Sequence, residues 1–251
     1  MYIGFDDTGS GVPIVLVHGH PFDRSMWHPQ VEHFSRTHRV ITPDLRGYGE
    51  STVVPGTTTL DVFAQDIADL LDRLEVPRIV LGGLSMGGQI VMEFARLFPD
   101  RLLGMLLADT FPGAETPEGR IVRNETADRL LREGMGPFAE EVLWKMVRPG
   151  NDEAAAHVLR MMKNAPPEGA AAALRGRAER PDYTELLRGI SVPTLVAVGR
   201  DDEYTPVAEA ERMHSLIPGS TLSVIEDAAH MPNLERPVEF DKAFQQLLNT
   251  V

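Results

Sequence analysis

Short runs of Val, Ile and Leu that alternate with helical patterns predict an α/β fold, a mostly parallel central sheet flanked by helices. The runs IVLVHG (14–19), RVITPDL (39–45), RIVLGGL (78–84), LLGMLLADT (102–110), PTLVAVGRDD (193–202) and STLSVIEDA (220–228) are nearly continuous in apolarity. Strands of that kind are buried on both faces, which a parallel sheet covered by helices provides. Helical periodicity occupies 60–74, 86–98, 207–217 and 238–249. Such alternation builds an open sheet whose ligand site lies at the carboxyl ends of the strands. One interruption stands out. Between 111 and 187 no convincing strand appears, and ADRLLREGM, FAEEVLWKMV and AAAHVLRMM read as helices separated by Gly and Pro. The expected organisation is therefore a core of 1–110 and 188–251 with a helical cap inserted at 111–187. Substrate specificity is expected to lie in that insertion. Four methionines fall there, Met135, Met146, Met161 and Met162, which suit core packing or an adaptable pocket wall.

At 251 residues the chain is long enough for one sizeable core. A formal charge of −13 repels phosphate backbones and anionic lipid surfaces, which argues against nucleic-acid or membrane partners. The absence of cysteine excludes disulfides, thiolate metal sites and a cysteine nucleophile. The first residues, MYIGFDDTGSG, lack a basic region followed by an apolar stretch, and no run approaches the ~20 residues that cross a bilayer. A cytoplasmic chain is the expectation. No H-E-x-x-H or comparable cluster calls for a metal, and no cofactor is implied.

GGLSMGGQ (82–89) sets Ser85 among four glycines, between the apolar run before it and the helical pattern IVMEFARLF after it. Glycine is needed where another backbone comes very close or φ is positive. A strand turning abruptly into a helix demands both and holds the apex residue up. The pentapeptide 83–87 fits G-x-S-x-G, a nucleophile elbow. The helix dipole at that end also favours developing negative charge.

A serine hydroxyl needs a base. His28, His33, His38, His157 and His214 sit on charged or helical segments and read as solvated or packing residues. His18, at the end of the first strong strand, suits a structural hydrogen bond within its loop. His230 follows the last predicted strand on the carboxyl side of the sheet, where it is in reach of Ser85. An acid must then orient the imidazole and stabilise its protonated form. Asp201 and Asp202 end one strand in GRDDEYTP, and Asp109 ends another, so both places qualify. For an oxyanion, Met86 offers the backbone N–H directly after the nucleophile. Gly19 permits the turn of HGHPF and Pro21 has no N–H, which leaves the N–H of His20 as the second donor.

Taken together, these blocks resemble the α/β-hydrolase superfamily over nearly the whole chain. VLVHGHPFDRSMW is similar to its oxyanion loop, DLRGYGES to a structural turn, GGLSMGG to its elbow, GRDDEYTP to its acid block and AAHMPNLERP to its histidine block. In that acid block the acid is usually the third residue after the glycine, which places it at Asp202. The resemblance is nearest to small cofactor-free esterases, perhydrolase-type haloperoxidases and 3-oxoadipate enol-lactonases. It implies a small-molecule carboxylic ester or lactone as substrate and an acyl-enzyme on Ser85. Perhydrolysis, acyl transfer or C–C hydrolysis by the same residues are the alternatives, and a binding receptor with residual turnover is a different class. His20 departs from the aromatic or Asn residue common at its position.

Overall fold

The computed structural model describes residues 1–251. The chain opens with strands β1 (Phe5–Gly9) and β2 (Pro13–Val17), helix α1 (His28–Phe34), β3 (Arg39–Pro43), α2 (Leu60–Arg73), β4 (Ile79–Leu84), α3 (Met86–Leu97) and β5 (Leu102–Ala108). Helices alone follow: α4 (Pro117–Glu133), α5 (Met135–Met146), α6 (Asp152–Asn164), α7 (Pro167–Ala178) and the short α8 (Thr184–Arg188). Then come β6 (Thr194–Gly199), α9 (Val207–Leu216), β7 (Thr221–Ile225), α10 (Pro232–Glu235) and α11 (Pro237–Leu248).

The strands form one 7-stranded sheet in the order β1-β3-β2-β4-β5-β6-β7. All neighbours are parallel except β1, which runs antiparallel to β3 with Phe5 opposite Pro43. Every residue of β4 and β6 is buried, as strands covered on both faces require. In α2 the buried set Leu60, Phe63, Ala64, Ile67, Leu70 and Leu71 follows the 3–4 spacing of one helical face. Helix α3 is buried from Met86 to Ala95, so it is a central element held against the sheet.

Strand β1 lies outside the apolar pattern because FDDTG is an edge strand, exposed from its second residue onward. Helix α7 likewise has no apolar stripe; it is a run of small residues buried nearly all round. Its glycines are explained by contact. A Cβ at Gly169 would stand 1.9 Å from the carbonyl oxygen of Gly47, and one at Gly176 would stand 1.7 Å from that of Thr58. The N–H of Thr58 donates to Ala172 O at 3.0 Å, which fastens α7 to the core loop. Side chains of the helices between β5 and β6 also enter the two hydrophobic clusters that flank the sheet: Ala127, Leu130 and Leu174 join one, and Ala139, Val158 and Met162 join the other.

Candidate active site

The sharp turn from β4 into α3 is made by backbone contact. A Cβ on Gly83 would lie 2.3 Å from Gly87 C, and one on Gly87 would lie 2.2 Å from Val17 O. No side chain fits at either place. Ser85 at the apex has φ 58° and ψ −116°, a conformation that costs a non-glycine residue about 1–3 kcal/mol. Surrounding bonds hold it there. Its N–H donates to Ala108 O at 2.9 Å, and its carbonyl accepts from Gln89 N–H at 3.2 Å and Thr110 Oγ1 at 2.8 Å.

His230 is buried in the loop after β7. Its Nδ1–H donates to Asp202 Oδ2 at 2.8 Å, which leaves Nε2 as the basic nitrogen. The other carboxylate oxygen of Asp202 accepts from Tyr204 N–H at 2.8 Å. Asp201, by contrast, is exposed and pairs with Arg148. Glu235 fixes the histidine loop from behind. Its Oε1 accepts from Ala229 N–H at 2.8 Å and Met231 N–H at 3.4 Å, on either side of His230, and its Oε2 accepts from Arg148 N–H at 2.8 Å. Burial raises the Glu235 carboxyl pKa against those N–H groups, which lower it.

Ser85 and His230 line one cavity of about 420 Å³, together with His20, Asp109, Phe138, Met146, Arg177 and Tyr204. No hydrogen bond joins Ser85 Oγ directly to His230 Nε2. Of the four methionines between β5 and β6, all buried, only Met146 lines the cavity, while Met135, Met161 and Met162 pack away from it. The N–H of Met86 belongs to the first turn of α3, where backbone donors have no intrahelical acceptor. The His20 ring is buried, with Nδ1 2.7 Å from the Tyr48 hydroxyl and Nε2 without a partner. Burial, followed by the charges of Arg177 and Arg123, holds its pKa well below the ordinary histidine value, so the ring is neutral. His18 has the structural place that its position suggests. It accepts from Leu45 N–H at 2.9 Å through Nε2 and donates through Nδ1 to Gly19 O at 2.8 Å.

Asp109 is the residue that the sequence left in competition with Asp202. It lies beside the pair, and one ligand atom from each of Asp109, Asp202 and His230 falls within 4.8 Å of the others. Its Oδ1 accepts from Gly199 N–H at 2.9 Å, its carbonyl accepts from Thr205 Oγ1 at 3.1 Å, and its Oδ2 is buried without a partner. Burial and then the Asp202 charge push its pKa well above the carboxylate range, which favours the protonated acid in the folded protein. A cation bound here would compete with hydrogen bonds that already occupy Asp202 and Asp109 Oδ1. Sequence reasoning missed Gln89, Arg123 and Arg177, which also line the cavity. The last two come from α4 and α7, where no strand end points to a site.

This sheet order, with an elbow serine after β4 and an acid and a histidine after β6 and β7, defines an α/β hydrolase. The chain belongs to the alpha/beta hydrolase family, whose model matches residues 14–243. Among curated proteins it is similar to 3-oxoadipate enol-lactonase 1 of Acinetobacter baylyi, 30% identical over 235 residues, 91% of this chain and 85% of that one. Among solved structures it is similar to a thermophilic esterase from Thermogutta terrifontis, determined with malate bound. That match has a TM-score of 0.97 and 45% identity, and covers 98% of this chain and 93% of the other. The enol-lactonase from Burkholderia xenovorans LB400 superposes with a TM-score of 0.91 at 28% identity, over 98% of this chain and 96% of that one. The protein is a hydrolase of this family. No helix is long and apolar enough to cross a membrane.

Proposed function

We propose that the protein hydrolyses small-molecule carboxylic esters or lactones through an acyl-enzyme on Ser85. The observation that carries this reading is the shared cavity of Ser85 and His230, with Asp202 bonded to the far nitrogen of the imidazole. Membership in the family and likeness to an enol-lactonase and an esterase support the reaction class.

In this mechanism Ser85 Oγ attacks the substrate carbonyl carbon while His230 Nε2 takes its proton. Asp202 stabilises the imidazolium and keeps Nδ1 protonated. Negative charge on the carbonyl oxygen is met by the N–H groups of His20 and Met86, each donor contributing roughly 10²–10³-fold in rate. When the tetrahedral intermediate collapses, His230 returns the proton to the leaving oxygen. Water, deprotonated by the same nitrogen, then releases the acid. The Ser85–His230 hydrogen bond forms in the substrate complex, since such contacts are often long in free enzymes. The insertion at 111–187 serves as the cap that supplies Met146 and Arg177 to the pocket, and the substrate is a small molecule.

The test is direct. A fluorophosphonate should label the wild type at Ser85 and leave Ser85→Ala untouched, and an ester-and-lactone panel should show turnover that the variant lacks. Undiminished turnover by Ser85→Ala would remove the mechanism. A labelled protein that turns over no panel member would point instead to a binder.

A further inference from the structure

The chain as a whole is acidic, at −13, yet one wall of the catalytic cavity is cationic. Arg123, Arg177 and Arg180 lie close together: after burial, the charges of Arg123 and Arg180 lower the pKa of Arg177, and Glu115 is the carboxylate that pairs with Arg123 and Arg180. Glu115 is bonded to Arg123 and lies 3.7 Å from Arg180 Nη1. Arg180 also stacks on the Phe111 ring at 4.6 Å and donates to Gly113 O. Arg177 differs from both. It is buried and has no carboxylate partner; of its five N–H donors, Nε–H alone has a protein acceptor, Gln89 Oε1 at 3.1 Å. Burial, then the charges of Arg123 and Arg180, lower its pKa well below the ordinary value, so an arriving anion relieves an existing strain. Both Arg177 and Gln89 line the cavity that Ser85 and His230 share, and Gln89 stands one helical turn after Ser85. The partnerless His20 Nε2 is in the same wall.

We propose that Arg177, with Arg123 beside it, binds a free carboxylate of the substrate, so that the enzyme acts on small esters or lactones that carry a second, ionised carboxyl group. The inference rests on the ester or lactone reading above. A guanidinium fork matches a carboxylate bidentately, and Arg177 Nη1 and Nη2 are the donors left for that purpose. Placement over the first turn of α3 puts the anion a short chain away from the scissile carbonyl. A cationic pocket wall in an acidic protein also concentrates small anions at the site while the outer surface repels polyanions.

Matched substrate pairs test this. Mono-p-nitrophenyl succinate and glutarate carry the carboxylate on the acyl side, with p-nitrophenyl butyrate and pentanoate as neutral partners. 4-Acetoxybenzoate against phenyl acetate places it on the leaving group. In the wild type at least one anionic ester should exceed its neutral partner by about tenfold or more in kcat/KM, mainly through KM. Arg177→Met should erase that ratio, and Arg177→Lys should keep part of it. Independently of turnover, calorimetry should detect glutarate binding to Ser85→Ala, weakened about tenfold or more in Ser85→Ala with Arg177→Met. Turnover of neutral esters without any anionic preference overturns the subsite and leaves the triad standing. Arg177-dependent glutarate binding with no ester turnover does the reverse. Glutarate binding that ignores Arg177 also overturns the proposal. If Arg177→Met does not fold, the wild-type ratio and the Arg177→Lys variant decide.

Discussion

Replacing Asp109 with Asn separates the two acids that end neighbouring strands, by stability and by catalysis at once. Burial and the adjacent Asp202 charge raise the Asp109 pKa in the folded protein, whereas in the unfolded chain it ionises near its ordinary value. Its folded pKa is raised, so the folded state binds more protons than the unfolded state at every pH between the two values. The wild type therefore loses stability through this group as pH rises through that window, with a slope of up to about 1.4 kcal/mol per pH unit for one proton. Asn copies the shape of the neutral acid. Its carbonyl accepts the Gly199 N–H, its NH₂ group is directed at Asp202, and it has no proton to lose. Asp109→Asn should accordingly gain on the wild type as pH rises from about 4, until the raised pKa is passed and the difference levels off. Urea denaturation at intervals from pH 4.5 to pH 8 measures that difference. Catalysis should move little, by less than about tenfold, while Asp202→Asn should lower kcat by about 10⁴ through the wrong imidazole tautomer. A stability difference flat with pH would refute the neutral-acid argument. A crippled Asp109→Asn beside an active Asp202→Asn would transfer the role of acid to Asp109.

Further outcomes follow from the elbow, the histidine loop and the neutral ring. Ser85→Gly should be more stable than Ser85→Ala by about 1–2 kcal/mol in thermal or urea melts, because glycine adopts φ 58° freely, while both lose kcat by about 10³ or more. Glu235→Ala strands the N–H groups of Ala229, Met231 and Arg148, and should cost about 2–5 kcal/mol in urea melts and lower kcat. His20 has a depressed folded pKa, so the stability tied to it is present above pH ~6.5 and is lost as pH falls below that value. His20→Phe should flatten the acid side of the stability profile while the acid limb of kcat/KM persists.

The parallel strands were legible because burial on both faces leaves an unbroken apolar run, and the elbow was legible because backbone contact at Gly83 and Gly87 admits no side chain. Edge strand β1 was not, since an exposed FDDTG has no apolar face to display. Asp202 and Asp109 were indistinguishable as strand-end carboxyls. Their difference is a matter of neighbours: Asp202 receives His230 Nδ1–H, while Asp109 receives Gly199 N–H and keeps a buried, partnerless oxygen. Arg177 was the least visible of all. It sits in a helix of alanines and glycines with no apolar stripe, and its place in the cavity depends on how that helix docks on the core, a relation no local pattern encodes.

That docking has a consequence for motion and for recombination. Backbone of α7 rests on backbone at Gly47 and Thr58 with no side chain between, and its neighbours in the insertion share both hydrophobic clusters with the sheet. A hinged flap is incompatible with such contact, because lifting it would open the core. Amides of α7 should exchange with solvent deuterium as slowly as those of β4, in a single cooperative unit with the sheet. For the same reason a graft of the insertion would need to carry the loops around Gly47 and Thr58 with it, because the two surfaces are one fitted joint.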